Sequence, residues 1–118
     1  MGNKAAAGAF LRNFKAKLKF FDILFLDDRG KNIRTLTQLE LTPTARKKVL
    51  ENLEIEDYAE GPKEESVYGG GAEMWVFGRL VKGQEIYIKI TLGVQGSAVL
   101  CISFHIAEYS MKYPLKGT

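Results

Sequence analysis

The chain has one cysteine, one histidine, one tryptophan and three prolines among its 118 residues. Each scarcity removes a class of explanation. A single thiol, Cys101, cannot form an internal disulfide, so no secreted disulfide framework is available and a reducing cytoplasm is the expected setting. With one histidine and one cysteine, neither flanked by partners at metal-ligand spacing, no zinc site is expected, and no metal or other cofactor is predicted. No apolar run is long enough to span a bilayer, and the start "MGNKAAAGAF" lacks both the long apolar stretch of a signal peptide and the Ser or Thr that a myristoylation motif places sixth. A soluble cytoplasmic protein that makes no use of a membrane is the expectation.

What is present fits a single modest domain. Hydrophobic residues make up 46% of the chain and charged residues 26%, enough for one core but not two. The net charge of +3 is unevenly placed: residues 1–50 hold 11 Lys and Arg against 4 Asp and Glu, residues 51–118 hold 6 against 10. The basic clusters "RNFKAKLK" and "ARKKVLE" read as solvated helix faces, with tracking of a phosphate backbone as the alternative.

Hydrophobic periodicity divides the chain into a helical front and a stranded back. Residues 1–9 are expected to be a flexible extension, and residues 10–118 one domain. Phe10, Leu11, Phe14, Leu18 and Phe21 recur at helical spacing and predict an amphipathic helix. "DILFLDD" predicts a short strand and "RTLTQLEL" a short helical turn. "LTPTARKKVLENL" predicts a helix capped by Thr42, with Pro43 at its first position and Ala45, Val49, Leu50 and Leu53 on one side. "EIEDYAEGPKEESVYGGGAE" reads as a long acidic surface loop, and its "YGGGAE" leads into a strand, unlike a phosphate loop.

The runs "EMWVFGR", "EIYIKITL" and "AVLCISFHI", separated by "LVKGQ" and "GVQGS", predict an antiparallel meander. The fold class is therefore α+β, a small antiparallel sheet packed on N-terminal helices. Alternation assigns Met74, Val76, Ile86, Ile88, Ile90, Leu100, Ile102 and Phe104 to a face against the helices, and Trp75, Phe77, Arg79, Tyr87, Lys89, Thr91, Cys101, Ser103 and His105 to the other. Pairing Leu92 with Ala98 and Arg79 with Glu85 sets Tyr87 opposite Ser103, with His105 on the diagonal, Phe77 opposite Tyr87 and Trp75 opposite Lys89.

That second face is mixed aromatic, cationic and hydroxylic, and it brings His105, Tyr87, Lys89 and Arg79 together. His105 can exchange protons near neutral pH, Tyr87 and Lys89 complete the candidate catalytic set, and Arg79, Ser103 and Lys82 add polar and cationic contacts. Trp75 and Phe77 either stack unpaired bases or pack as a second small core. His105 is either this proton-transfer group or a structural residue at a strand end.

Several segments in order, "IEDYAEGP" (55–62), "WVFGR" (75–79), "RLVKGQEIYIKITLG" (79–93) and "SFHIAEYSMKYP" (103–114), resemble the MqsR family of toxins from bacterial type II toxin–antitoxin systems, over roughly residues 36–115. The resemblance implies a RelE-like ribonuclease fold and an mRNA interferase, an endoribonuclease that cleaves single-stranded mRNA without metal through the RNA's own 2′-hydroxyl and is held in check by a cognate antitoxin; such cleavage requires an acid or base, cations around the phosphate and a surface that splays the strand. It leaves open whether the ribosome takes part. By position, Tyr87 matches a tyrosine tied to activity in the family, and His105 stands where the family has an active-site lysine. Glu60 stands near a family lysine and Val76 at a family glutamine, which points to a variant centred on histidine. A non-catalytic RNA- or protein-binding module on the same fold is the alternative.

Overall fold

The computed structural model describes residues 3–27, 30–64 and 72–117. Its elements run α1 (Asn3–Phe21), β1 (Ile23–Phe25), α2 (Lys31–Leu39), α3 (Pro43–Glu51), a single 3-10 turn (Ile55–Asp57), β2 (Tyr58–Lys63), β3 (Met74–Val81), β4 (Gln84–Thr91) and β5 (Val99–Ile106). The α+β class is as expected, but the sheet is larger than a three-stranded meander and is mixed. Its order is β1-β5-β4-β3-β2, with β1 parallel to β5 and every other pair antiparallel.

Three further expectations change. Residues 3–9, expected as a flexible extension, are the first turns of α1, in which Ala7 is fully buried. The front of the supposed acidic loop, Tyr58–Lys63, is edge strand β2, while residues 65–71 of that loop lie outside the described residues. The short turn of "RTLTQLEL" belongs to a nine-residue helix, α2. Thr42 caps α3 as predicted, its Oγ1 accepting from Ala45 N–H at 3.0 Å.

Register decides which residues form the core. Lys82 and Gly83 both have positive φ (51° and 82°), as a two-residue I′-type hairpin requires, so the β3–β4 loop is shorter than "LVKGQ" suggested. Arg79 consequently pairs with Ile86, Phe77 with Ile88 and Trp75 with Ile90. This one-residue slip turns Trp75 (4% exposed) and Phe77 (0%) to the helix face. There Phe10 of α1 stacks on Trp75, with ring centroids 5.1 Å apart. Ile86, Ile88, Ile90 and Phe104 join them as expected, whereas Met74 and Val76 lie on the opposite face.

The β4–β5 pair begins one residue off the expected register, with Thr91 opposite Leu100 and Ile90 opposite Cys101. A bulge at Ile102 then adds a second offset, so that Lys89 pairs with Ser103 and Tyr87 with His105. Two offsets of one residue restore the original parity beyond the bulge. Tyr87, Lys89, Ser103 and His105 therefore share a face, while Cys101 turns into the core, where burial pushes its thiol pKa far up.

The other flank of β5 is held first by β1 and then by side chains of α2. Asn32 Oδ1 accepts from Phe104 N–H (2.9 Å), Asn32 Nδ2 donates to Ile102 O (3.3 Å), and Thr35 Oγ1 accepts from Ile106 N–H (3.0 Å). Arg46 of α3, expected on a solvated face, is buried: it binds both carboxylate oxygens of Asp27 (3.0 and 2.9 Å), and its guanidinium lies 3.5 Å from the Phe25 ring centroid. Asn32→Ala strands the Phe104 N–H and the Ile102 carbonyl in a buried setting, and a urea unfolding curve should show a loss of roughly 2 to 4 kcal/mol.

Candidate functional site

The face of β4 and β5 turned away from α1 floors a pocket of about 900 Å³. Its walls come from α2 (Lys31, Asn32, Arg34), from β2 (Ala59, Glu60) and from the segment after β5, residues 107–112. Four of the eight residues singled out in the sequence, Tyr87, Lys89, Ser103 and His105, line it together. The other four do not. Trp75 and Phe77 are buried on the opposite face for the register reason given above. Arg79 pairs with Asp57 at 2.9 Å and holds the 3-10 turn, and Lys82 donates to Leu39 O at 2.8 Å, at the end of α2.

Within the pocket the Tyr87 and His105 rings stack 5.3 Å apart with planes 16° from parallel, as directly opposed residues on adjacent strands can. His105 Nδ1 lies 3.0 Å from Ile106 O. A carbonyl only accepts, so Nδ1 carries the proton in this contact and Nε2 is the nitrogen left to gain or lose one. Burial, with Glu60 adding to it and Lys63 opposing it, pushes the Tyr87 hydroxyl above its ordinary value, so it remains a protonated donor at neutral pH. Lys89 Nζ lies 5.9 Å from the Tyr87 ring centroid.

Charge in the lining is predominantly positive: Lys31, Arg34, Lys89 and Lys112 stand against Glu60 and Glu108. Lys31 meets Glu108 at 2.9 Å, and that contact, with His105 adding to it, holds the Glu108 carboxyl below the usual carboxylate range. A pocket with this balance suits an anion. Among the described residues no group of three His, Cys, Asp or Glu is placed to hold a metal ion, and no helix is long and apolar enough to cross a membrane.

The segment after β5 is fastened by Glu85. Its carboxylate accepts from Met111 N–H (3.1 Å) and from the Tyr113 hydroxyl (2.5 Å), and its carbonyl accepts from Ala107 N–H (2.8 Å). The segment lies close against β3 at Gly78, where a Cβ would meet Tyr113 Oη and stand 2.8 Å from Met111 Sδ.

The sequence reading missed Lys31, Arg34, Glu108, Tyr109 and Lys112. "HIAEYSMK" carries three of these immediately after His105, and continuing past the strand end would have found them. Lys31 and Arg34 give no local signal, because only the packing of α2 on β5 brings them to the site.

The chain matches no family model, no curated protein and no solved structure.

Gly78→Val forces the 111–113 segment off β3. Its melting temperature should fall, by an amount equivalent to about 1 to 3 kcal/mol, and the Met111 amide should exchange faster with solvent. A variant with unchanged exchange at Met111 would show that Gly78 does not set the position of that wall.

Proposed function

We propose that the chain is the toxin of a bacterial type II toxin–antitoxin system, an mRNA interferase of RelE-like fold that cuts single-stranded mRNA through the RNA's own 2′-hydroxyl. The observation that carries this reading is the stacked Tyr87–His105 pair in a cationic pocket, with His105 Nδ1 fixed on a backbone carbonyl. The MqsR-like segments contribute both of those residues and support it independently.

In this reading the Nε2 lone pair of neutral His105 takes the proton of the 2′-hydroxyl. The 2′-oxygen attacks the adjacent phosphorus, the bond from phosphorus to the 5′-oxygen breaks, the 5′-oxygen takes a proton from water and leaves as a 5′-hydroxyl, a 2′,3′-cyclic phosphate remains, and His105 returns its proton to solvent. The protonated Tyr87 hydroxyl donates a hydrogen bond to a phosphate oxygen, and Lys89 offsets the charge that accumulates on the phosphorane. Ser103, across from Lys89, supplies a hydroxyl on the same floor. Trp75, Phe77, Arg79 and Lys82 have no part in it. A cognate antitoxin restrains the activity, and the basic first half of the chain suits an acidic partner segment.

His105→Ala should slow RNA cleavage by on the order of a hundredfold to ten-thousandfold, while unfolding free energy changes by about 1 kcal/mol or less. Cleavage should persist in EDTA, and an RNA with a deoxyribose at the cut site should resist cutting there. A folded His105→Ala protein that cuts at the native rate contradicts the proposal, as does activity that disappears with EDTA and returns with magnesium. Binding of RNA without any cleavage would favour a non-catalytic module.

A further inference from the structure

Beside the stacked pair, the pocket has a second set of groups for which the reaction just described has no use. Lys31 and Arg34 lie one turn apart on α2, and across from them the segment after β5 presents Glu108, Tyr109 and Lys112. Tyr109 is 86% exposed, an unusual placement for a large aromatic ring at the rim of a charged pocket. The Lys31–Glu108 ion pair spans the two walls at 2.9 Å, and its side chains remain 49% and 57% exposed. An ion pair so accessible to water is weak and readily exchanged.

We propose that these residues form a subsite for a nucleotide next to the one at His105, with its base on Tyr109 and its phosphate on Lys31 and Arg34. Glu108 is the internal stand-in for that phosphate. In the ligand-free chain its carboxylate occupies Lys31, and the incoming phosphate displaces it, so part of each binding event is an exchange of one anion for another on the same ammonium. Glu108 thereby selects against weakly charged or small anions, which cannot both displace it and engage Arg34. The subsite rests on the proposal that the pocket takes RNA.

The test is binding of a fluorescent 2′-O-methyl pentaribonucleotide of mixed sequence, which lacks the nucleophilic hydroxyl and so reports affinity without cleavage. Glu108→Gln removes the competing anion and should tighten binding roughly threefold to tenfold at low salt, a gain that shrinks as salt rises. Lys31→Met should weaken it, and Tyr109→Ala should weaken it about tenfold. Inorganic tripolyphosphate, which has no base, should respond to Glu108→Gln and Lys31→Met but not to Tyr109→Ala.

Native binding with Glu108→Gln equal or weaker overturns the role of Glu108 and leaves the ribonuclease reading standing. Equal loss of tripolyphosphate and oligonucleotide affinity in Tyr109→Ala overturns the stacking platform. Failure of the native protein to bind the oligonucleotide at any salt removes both this subsite and the reading on which it rests. Because Glu85 and the buried Leu115 anchor the segment apart from Glu108, a folding failure of Glu108→Gln would itself contradict the exchangeable role assigned here.

Discussion

Along β5 the flank away from β4 changes partner midway, from the parallel strand β1 to the side chains of Asn32 and Thr35 on α2. Every backbone group there must be paired, since burying an unpaired amide or carbonyl costs more than the hydrogen bond contributes. Two polar side chains at helical spacing therefore dock α2 against the far half of the strand. That docking brings Lys31 and Arg34 to the pocket. The bulge at Ile102 works on the same strand from within, sending Cys101 to the core and Ser103 and His105 to the pocket floor. One strand thus divides the protein into a packed side and a chemical side.

The pocket side joins a stacked aromatic pair to a cationic rim. Tyr87 and His105 lie face to face, which restricts both rings, and the bond from His105 to Ile106 O fixes which nitrogen is available. In the proposed reaction, restricted rings in a cationic pocket are what general acid–base chemistry on a phosphodiester needs, because little reorganisation is then left for the reaction itself. The wall formed after β5 closes the pocket on one side, and its fastening to Glu85 across the close approach at Gly78 makes that wall part of the folded structure.

Much of this was legible in the sequence where local chemistry decides the outcome. Thr42 and Pro43 marked the start of α3, the spacing of Phe10, Phe14 and Leu18 marked α1, and the alternation in β4 and β5 gave the shared face of Tyr87, Lys89, Ser103 and His105. Positions that depend on register were not legible. The Lys82–Gly83 turn shifts β3 by one residue, and Trp75, Phe77 and Arg79 change faces together. The same offset on the β4–β5 side is cancelled by the bulge, so Tyr87, Lys89, Ser103 and His105 share a face as expected although their pairing differs. Arg46 sits in a run of basic residues that reads as a solvated face, and only Asp27 and Phe25, distant in sequence, explain its burial. The cations of α2 were hidden for a similar reason, since their place depends on a contact some seventy residues away in the chain, Asn32 to β5.

The single histidine makes the central claim directly measurable, because long-range proton–nitrogen correlation spectra hold one set of imidazole signals. In alkaline solution, where the ring is neutral, Nδ1 should show the shift of a protonated nitrogen and Nε2 that of an unprotonated one, and adding a nucleoside 3′-monophosphate should move the Nε2 signal. A neutral ring protonated on Nε2, or an Nε2 signal indifferent to the nucleotide, would contradict the account of His105 as the proton-exchanging group of this pocket.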